Sequence, residues 1–184
     1  MSLGDDDRDP TAGLRALAHP VRLRILSLLT GVGLTAAEVA RELGLTHANA
    51  SYHLRQLLAS GLIEVAGVER IRGGAAKRYR YDVLADLDRS DRPVPEGAKP
   101  TTEHRLIYAA LAAELRRRSA AMKRTRHNFL ADGEFWVDAA DWIAIRQRIA
   151  DAGDDLHRVA RAPRSPGAIK VSATVALFEM EDDR

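Results

Sequence analysis

Residues 35–61 read TAAEVARELGLTHANASYHLRQLLASG, and two polar starts and two glycine stops inside this stretch decide the fold. Thr35 and Glu38 have the spacing of a capping box, in which the hydroxyl accepts the N–H three residues on while the carboxylate reaches back. The helix opened there carries Val39, Ala40 and Leu43 and stops at Gly44, a residue suited to the left-handed position just past a helix. Thr46 offers a second cap. The helix it opens sets Ala50, Leu54 and Leu57 on one face before Ser60 and Gly61 end it. Two short helices joined by a turn of about three residues form a helix-turn-helix.

Upstream, Leu14, Leu17, Val21, Ile25, Leu28 and Leu29 make a helical stripe that Pro20 interrupts. His19 and Pro20 therefore end one short helix and start another, because proline loses nothing in a first turn. Downstream, residues 62–65 and 77–81 alternate with period two and read as strands. Arg72, Gly73, Gly74, Ala75 and Ala76 lie between them as a basic hairpin tip. A helix-turn-helix followed directly by such a hairpin is a winged helix, assigned to residues 11–87 with the wing at 66–78.

The rest divides by composition. Residues 1–10 form an acidic N-terminus expected to be disordered, and the charged, proline-rich residues 88–100 form a linker. Residues 101–184 are expected to carry dimerisation and any effector site. A long amphipathic helix starts at Thr101 with Leu106, Ile107, Ala110, Leu111 and Leu115, and is extended by Met122 and Phe129 to Gly133. Residues 134–137 form a short strand candidate. Asp138 and Asp141 resemble a capping box for a helix through Trp142, Ile145, Ile149, Leu156 and Val159, and residues 170–180 form a last strand. The expected fold class is thus mostly α with a small β wing: a winged helix-turn-helix domain plus a helical extension holding a short β-α-β element with parallel strands.

The net charge of +2 hides an uneven layout. Residues 11–80 hold ten basic and four acidic side chains, a sum of +6, which points to a polyanionic partner. Residues 101–130 sum to +5 (seven basic, two acidic), and residues 131–184 to −4 (seven basic, eleven acidic). With no cysteine, disulfides, thiolate metal sites and cysteine nucleophiles are excluded. No apolar run nears the roughly 20 residues that span a bilayer, and Asp5, Asp6, Asp7 and Asp9 do not belong to a signal peptide. A cytoplasmic protein without a membrane partner is expected.

In a helix-turn-helix the second helix enters the major groove and reads base edges with side chains near its N-terminus. Here that helix is 47–59. Its candidate DNA-binding residues are Thr46, His47, Ala48, Asn49, Ser51 and Tyr52, with Arg55 and Gln56 a turn later. Asparagine can pair bidentately with adenine, and Arg55 suits a phosphate. In the wing, Arg72, Lys77 and Arg78 suit backbone or minor-groove contact. A solvated polar helix and a charged hairpin would be the plainer reading, but the order of cap, turn, helix and wing favours DNA binding.

Residues 14–26 (LRALAHPVRLRIL), 35–42 and 45–57 together resemble the ArsR/SmtB-type winged-helix repressors, whose recognition helix carries a Ser-x-His-Leu pattern matched by Ser51, His53 and Leu54. The resemblance covers about residues 11–82. It implies a homodimeric transcription regulator, most often a repressor, with N- and C-terminal helices in the dimer interface. The metal-sensing branch is not matched. Asp155 and His157 fit only half of its C-terminal site, and His104 and His127 are too far apart along one helix to meet within one chain, which leaves an intersubunit pair as the alternative to exposed or capping histidines; the latter is preferred, so neither metal nor cofactor is expected.

The aromatics of the extension, Tyr108, Phe129, Phe135, Trp136, Trp142 and Phe178, suit either a small-molecule effector pocket or a packed core and dimer interface, and packing is preferred. The basic run around Arg116 to Arg118 is read as a solvated helix face. Two other classes compete with a dimeric regulator. A winged-helix protein-interaction adaptor without specific DNA readout should expose apolar anchors on helix 47–59, and none is present. An enzyme is not expected, since no phosphate loop, strand-end carboxylate pair or nucleophile motif occurs.

Overall fold

The computed structural model describes residues 12–71, 74–81 and 98–181. The N-terminus 1–10, most of the linker and the hairpin tip at 72–73, including Arg72, lie outside the described residues.

Helices α1 (Ala12–Leu17) and α2 (Pro20–Leu29) break where Pro20 enters the first turn of α2. His19 is the cap, its Nδ1 accepting the N–H of Val21 at 3.1 Å. Strand β1 (Leu34–Thr35) leads into α3 (Ala36–Leu43), whose capping box is complete. Glu38 N–H donates to Thr35 Oγ1 at 3.3 Å, and Glu38 Oε2 accepts from Thr35 N–H at 2.8 Å. That backbone bond is the main cause that holds the Glu38 carboxyl below its ordinary range. Gly44 follows at φ 65°. Thr35→Ala is expected to cost about 0.5–2 kcal/mol, read as a lower urea midpoint, while Thr35→Ser retains most of it. An unchanged midpoint in the alanine variant would rule out the box as a stabilising element.

Helix α4 (His47–Ala59) packs on α3 and α2 through its inner face. Ile25, Leu29, Val39, Leu54 and Leu57 are the largest fully buried side chains and form one core with Ala16, Leu26, Leu34, Ala50, Leu62 and Ile63. Strands β2 (Ile63–Ile71) and β3 (Gly74–Tyr81) complete an antiparallel sheet in the order β1-β3-β2. Both are longer than period-two alternation predicts, and residues 74–76 belong to β3 rather than to the tip. The reason is a bulge: Val65 pairs with Tyr79 but Gly67 with Arg78, so Ala66 is an extra residue and the alternation changes phase. Beyond it the ladder continues to Ile71 opposite Gly74.

In the extension, α5 (Thr102–Ser119) packs against α1 and α2, and α6 (Ala139–Arg158) follows. Among the described residues the protein thus has six helices and one three-stranded sheet, a winged helix-turn-helix with a helical extension. Helix α5 stops at Ser119, short of the expected Gly133. From Lys123 to Asn128 no apolar side chain offers a face to bury, and local side-chain bonds replace helical ones. Ser119 Oγ donates to Arg116 O at 2.9 Å and Asn128 Nδ2 to Lys123 O at 2.8 Å.

Two further expectations are corrected. Residues 134–137 and 170–180 are not strands, so the β-α-β element is absent: among the described residues neither segment has a ladder partner. Asp138 caps α6 without a side-chain hydrogen bond. Asp141 is one methylene shorter than the glutamate that closes the box at Thr35.

The extension also returns to the helix-turn-helix. Arg164 Nη1 donates to Glu42 Oε1 at the end of α3, at 2.7 Å. Gly31, at φ 76°, lies against the backbone of Ala160, whose carbonyl oxygen would sit 2.5 Å from an added Cβ. Only glycine fits both the conformation and the approach.

Candidate nucleic-acid interface

The outer face of α4 is built from its cap. Thr46 Oγ1 accepts the Asn49 N–H at 3.2 Å, fixing the first turn and leaving the remaining free N–H groups of the helix start directed outward. His47, Ala48, Asn49, Tyr52, Arg55 and Gln56 are exposed around that start, and Ser51 is half-buried. All the candidates on α4 therefore share one accessible side of the helix. The residues between them, Ala50, Leu54 and Leu57, are fully buried. That division gives the helix a hydrogen-bonding face about two turns long on a rigid base, the geometry needed to present side chains to base edges.

The inner face contains a feature that spacing alone did not single out. His53 is 5% exposed, its Nδ1 has no hydrogen-bond partner, and its ring lies 4.8 Å from that of His19. Its position three residues after Ala50 and four before Leu57 was the available signal. Tyr52 meets the His53 ring edge-on at 5.3 Å. Arg22 flanks the pair and donates from Nη2 to Arg15 O at 2.6 Å and from Nε to Ala16 O, neutralising carbonyls at the end of α1. A cluster of two imidazoles and a guanidinium thus backs α4.

Both imidazoles are held below their ordinary range. Burial is the main cause for each; Arg22 adds to it at His19, and His19 and Arg22 add to it at His53. The unfolded chain then binds protons more readily than the folded one, so stability rises with pH in this window. The contribution is fully present above the ordinary imidazole pKa of 6.5 and is lost as pH falls below it through the folded-state values. Between about pH 7.5 and 5.5 the urea midpoint of the parent chain is expected to fall more than that of His53→Phe. Equal losses would show that His53 does not couple to folding.

The wing divides its cations. Lys77 is exposed on β3 opposite Val68. Arg78 is engaged within the protein: Nη1 pairs with Glu69 Oε2 at 2.6 Å, and Nη2 donates to Gly33 O and lies 3.5 Å from Glu38 Oε2. It is a strut joining the wing to the start of α3. Arg80 pairs with Glu64 across the strands at 2.7 Å. Of the three expected wing contacts, Lys77 is free to face a phosphate, Arg78 is tied to two carboxylates, and Arg72 lies outside the described residues.

His104 Nδ1 accepts the Thr101 N–H at 3.2 Å at the start of α5, His127 lies beyond the end of that helix, and Asp155 pairs with Arg158 at 2.6 Å. No described helix is long and apolar enough to cross a membrane.

Residues 17–66 match the family model of a helix-turn-helix domain, a span that runs from the end of α1 into β2 and contains the whole α3–α4 unit. No curated protein matches the chain. The chain therefore carries a helix-turn-helix domain, the class of module whose partner is double-stranded DNA and whose role is regulation of transcription.

Proposed function

We propose that this protein is a homodimeric, cytoplasmic transcriptional repressor related to the ArsR/SmtB type but outside its metal-sensing branch, acting by binding rather than by catalysis. Helix α4 reads the major groove of a pseudo-palindromic operator. His47, Asn49, Ser51 and Tyr52 reach base edges, while Thr46, Arg55 and Gln56 meet the backbone or flanking bases. Lys77 and Arg72 of the wing take phosphate or minor-groove positions, and Arg78 acts through the pose it gives the wing. The observation that carries this reading is the two-sided α4, with a capped, exposed polar start and a fully buried apolar back. A small-molecule effector acting through residues 101–184 is compatible with the contacts that Ala160 and Arg164 make with the helix-turn-helix.

Selection from a random duplex pool tests the reading. A dimer should recover two inverted half-sites centred about one helical turn apart. Recovery of a single half-site indicates a monomeric reader, and recovery of no common sequence indicates that α4 does not read bases.

A further inference from the structure

Residues 169–181 follow the chemistry of a strand but have no sheet. Among the described residues, no backbone–backbone hydrogen bond joins this segment to the rest of the chain. Side chains alone reach it: Arg118 Nη1 donates to Ala173 O at 3.3 Å and Ser172 Oγ at 3.5 Å, Trp142 Nε1 donates to Glu179 Oε1 at 3.0 Å, and the Tyr108 ring lies 5.4 Å from that of Phe178. Its apolar side chains are nevertheless exposed, Val171 by 65% and Ile169 by 84%. The residues before α6 share this condition: Phe129, Phe135 and Trp136 are 89%, 78% and 90% exposed. Apolar side chains and unpaired backbone groups together in water are a combination that folded chains avoid, because both are satisfied at once by adding a strand.

The sequence of the segment specifies the strand it accepts. Lys170 stands near its start and Glu179 and Glu181 at its end. Paired in parallel with an identical segment, it would set like charges side by side. Paired antiparallel about a two-fold axis between Thr174 and Val175, it sets Lys170 opposite the partner's Glu179 and Val171 opposite the partner's Phe178. The aromatics before α6 add surface of the right size. At roughly 150–250 Å² per buried ring, Phe135 and Trp136 supply on the order of 400 Å² of the about 800 Å² that each partner contributes to a standard interface. Charge supports the same occupant, since residues 101–130 carry +5 and residues 131–184 carry −4.

We infer that residues 169–180 of two copies of this chain form an antiparallel intersubunit β-ladder, with Phe135 and Trp136 packed on it, and that this ladder adds to the dimer interface formed by the helices. This rests on the dimeric reading above and specifies the surface that makes it. The ladder replaces the missing β-α-β element: the strand-forming pattern at 170–180 is real, and its partner lies in the second copy.

Sedimentation equilibrium and hydrogen exchange on the full chain test it. The ladder predicts slow amide exchange across 169–181 that becomes fast on dilution below the dimer dissociation constant. It also predicts that Thr174→Pro raises that constant at least tenfold. A charge reversal guards against a folding failure: Lys170→Glu should weaken the dimer several-fold, and Lys170→Glu combined with Glu179→Lys should restore it. A dimer that withstands Thr174→Pro, with fast exchange at 169–181 at every concentration, overturns the ladder while leaving the dimer in place. A double charge variant as weak as the single one overturns the register. A chain that is monomeric at all concentrations overturns both the ladder and the dimeric reading.

Discussion

Leu54→Ala is expected to destabilise the protein by about 2–5 kcal/mol, the range for removing a fully buried leucine side chain. Leu54 is 0% exposed and stands where α4 packs against the core that also holds Ile25, Leu29, Val39 and Leu57. The loss combines the transfer of the side-chain atoms with the cavity left behind, which the capped α3–α4 turn restrains from collapsing. A domain of ordinary stability has only about 5–15 kcal/mol in total, so much of the margin disappears. Gln56→Ala, two residues on and exposed, should stay within about 0.5 kcal/mol of the parent. Urea titration of both variants decides the matter. A Leu54→Ala midpoint indistinguishable from that of Gln56→Ala would contradict the assignment of the inner face of α4.

The second large effect concerns recognition. Asn49→Ala is expected to weaken binding to the operator by about 1–3 kcal/mol while leaving binding to unrelated duplex nearly unchanged. Its side chain is exposed at the start of α4, and its own N–H is already held by Thr46, so truncation leaves the helix start intact. Lys77→Ala should behave differently, weakening all sequences alike and lowering the salt slope by about one. Competition binding on the operator and a scrambled duplex separates the two. Equal losses on both duplexes for Asn49→Ala would remove it from the base-reading set.

Much of the helix-turn-helix was legible because its signals are local. Thr35 with Glu38, Gly44, and Thr46 each act within one turn of helix, and each does in the structure what its spacing implies. Pro20 likewise fixed the break between α1 and α2, although the capping role of His19 was not anticipated. Legibility declined where tertiary context decides. The bulge at Ala66 shifted the phase of alternation and hid half the wing. Arg78 and Lys77 are adjacent basic residues in one strand, yet only the fold shows Glu38 and Glu69 converging on the first of them. His53 counted as part of a motif, whereas burial beside His19 and Arg22 gives it a physical role.

The extension was hardest to read for a related reason. Periodicity reports which side chains need cover without naming what covers them. Met122 and Phe129 suggested a longer α5, but the six residues from Lys123 to Asn128 bring no apolar face to sustain it. Residues 170–180 have a strand-forming composition, yet no strand pairs with them among the described residues. The contacts of Ala160 and Arg164 with the helix-turn-helix, through Gly31 and Glu42, could not be found from spacing, since they join positions more than a hundred residues apart.

The most direct test of the central claim, that α4 reads DNA sequence, is fluorescence anisotropy of the full chain on a selected duplex and its scrambled counterpart across a salt series. Sequence reading predicts at least a thousandfold preference for the selected duplex at physiological salt, with affinity for both falling steeply as salt rises. Equal affinity for the two duplexes at every salt concentration would contradict it, leaving an electrostatic DNA contact without readout by α4.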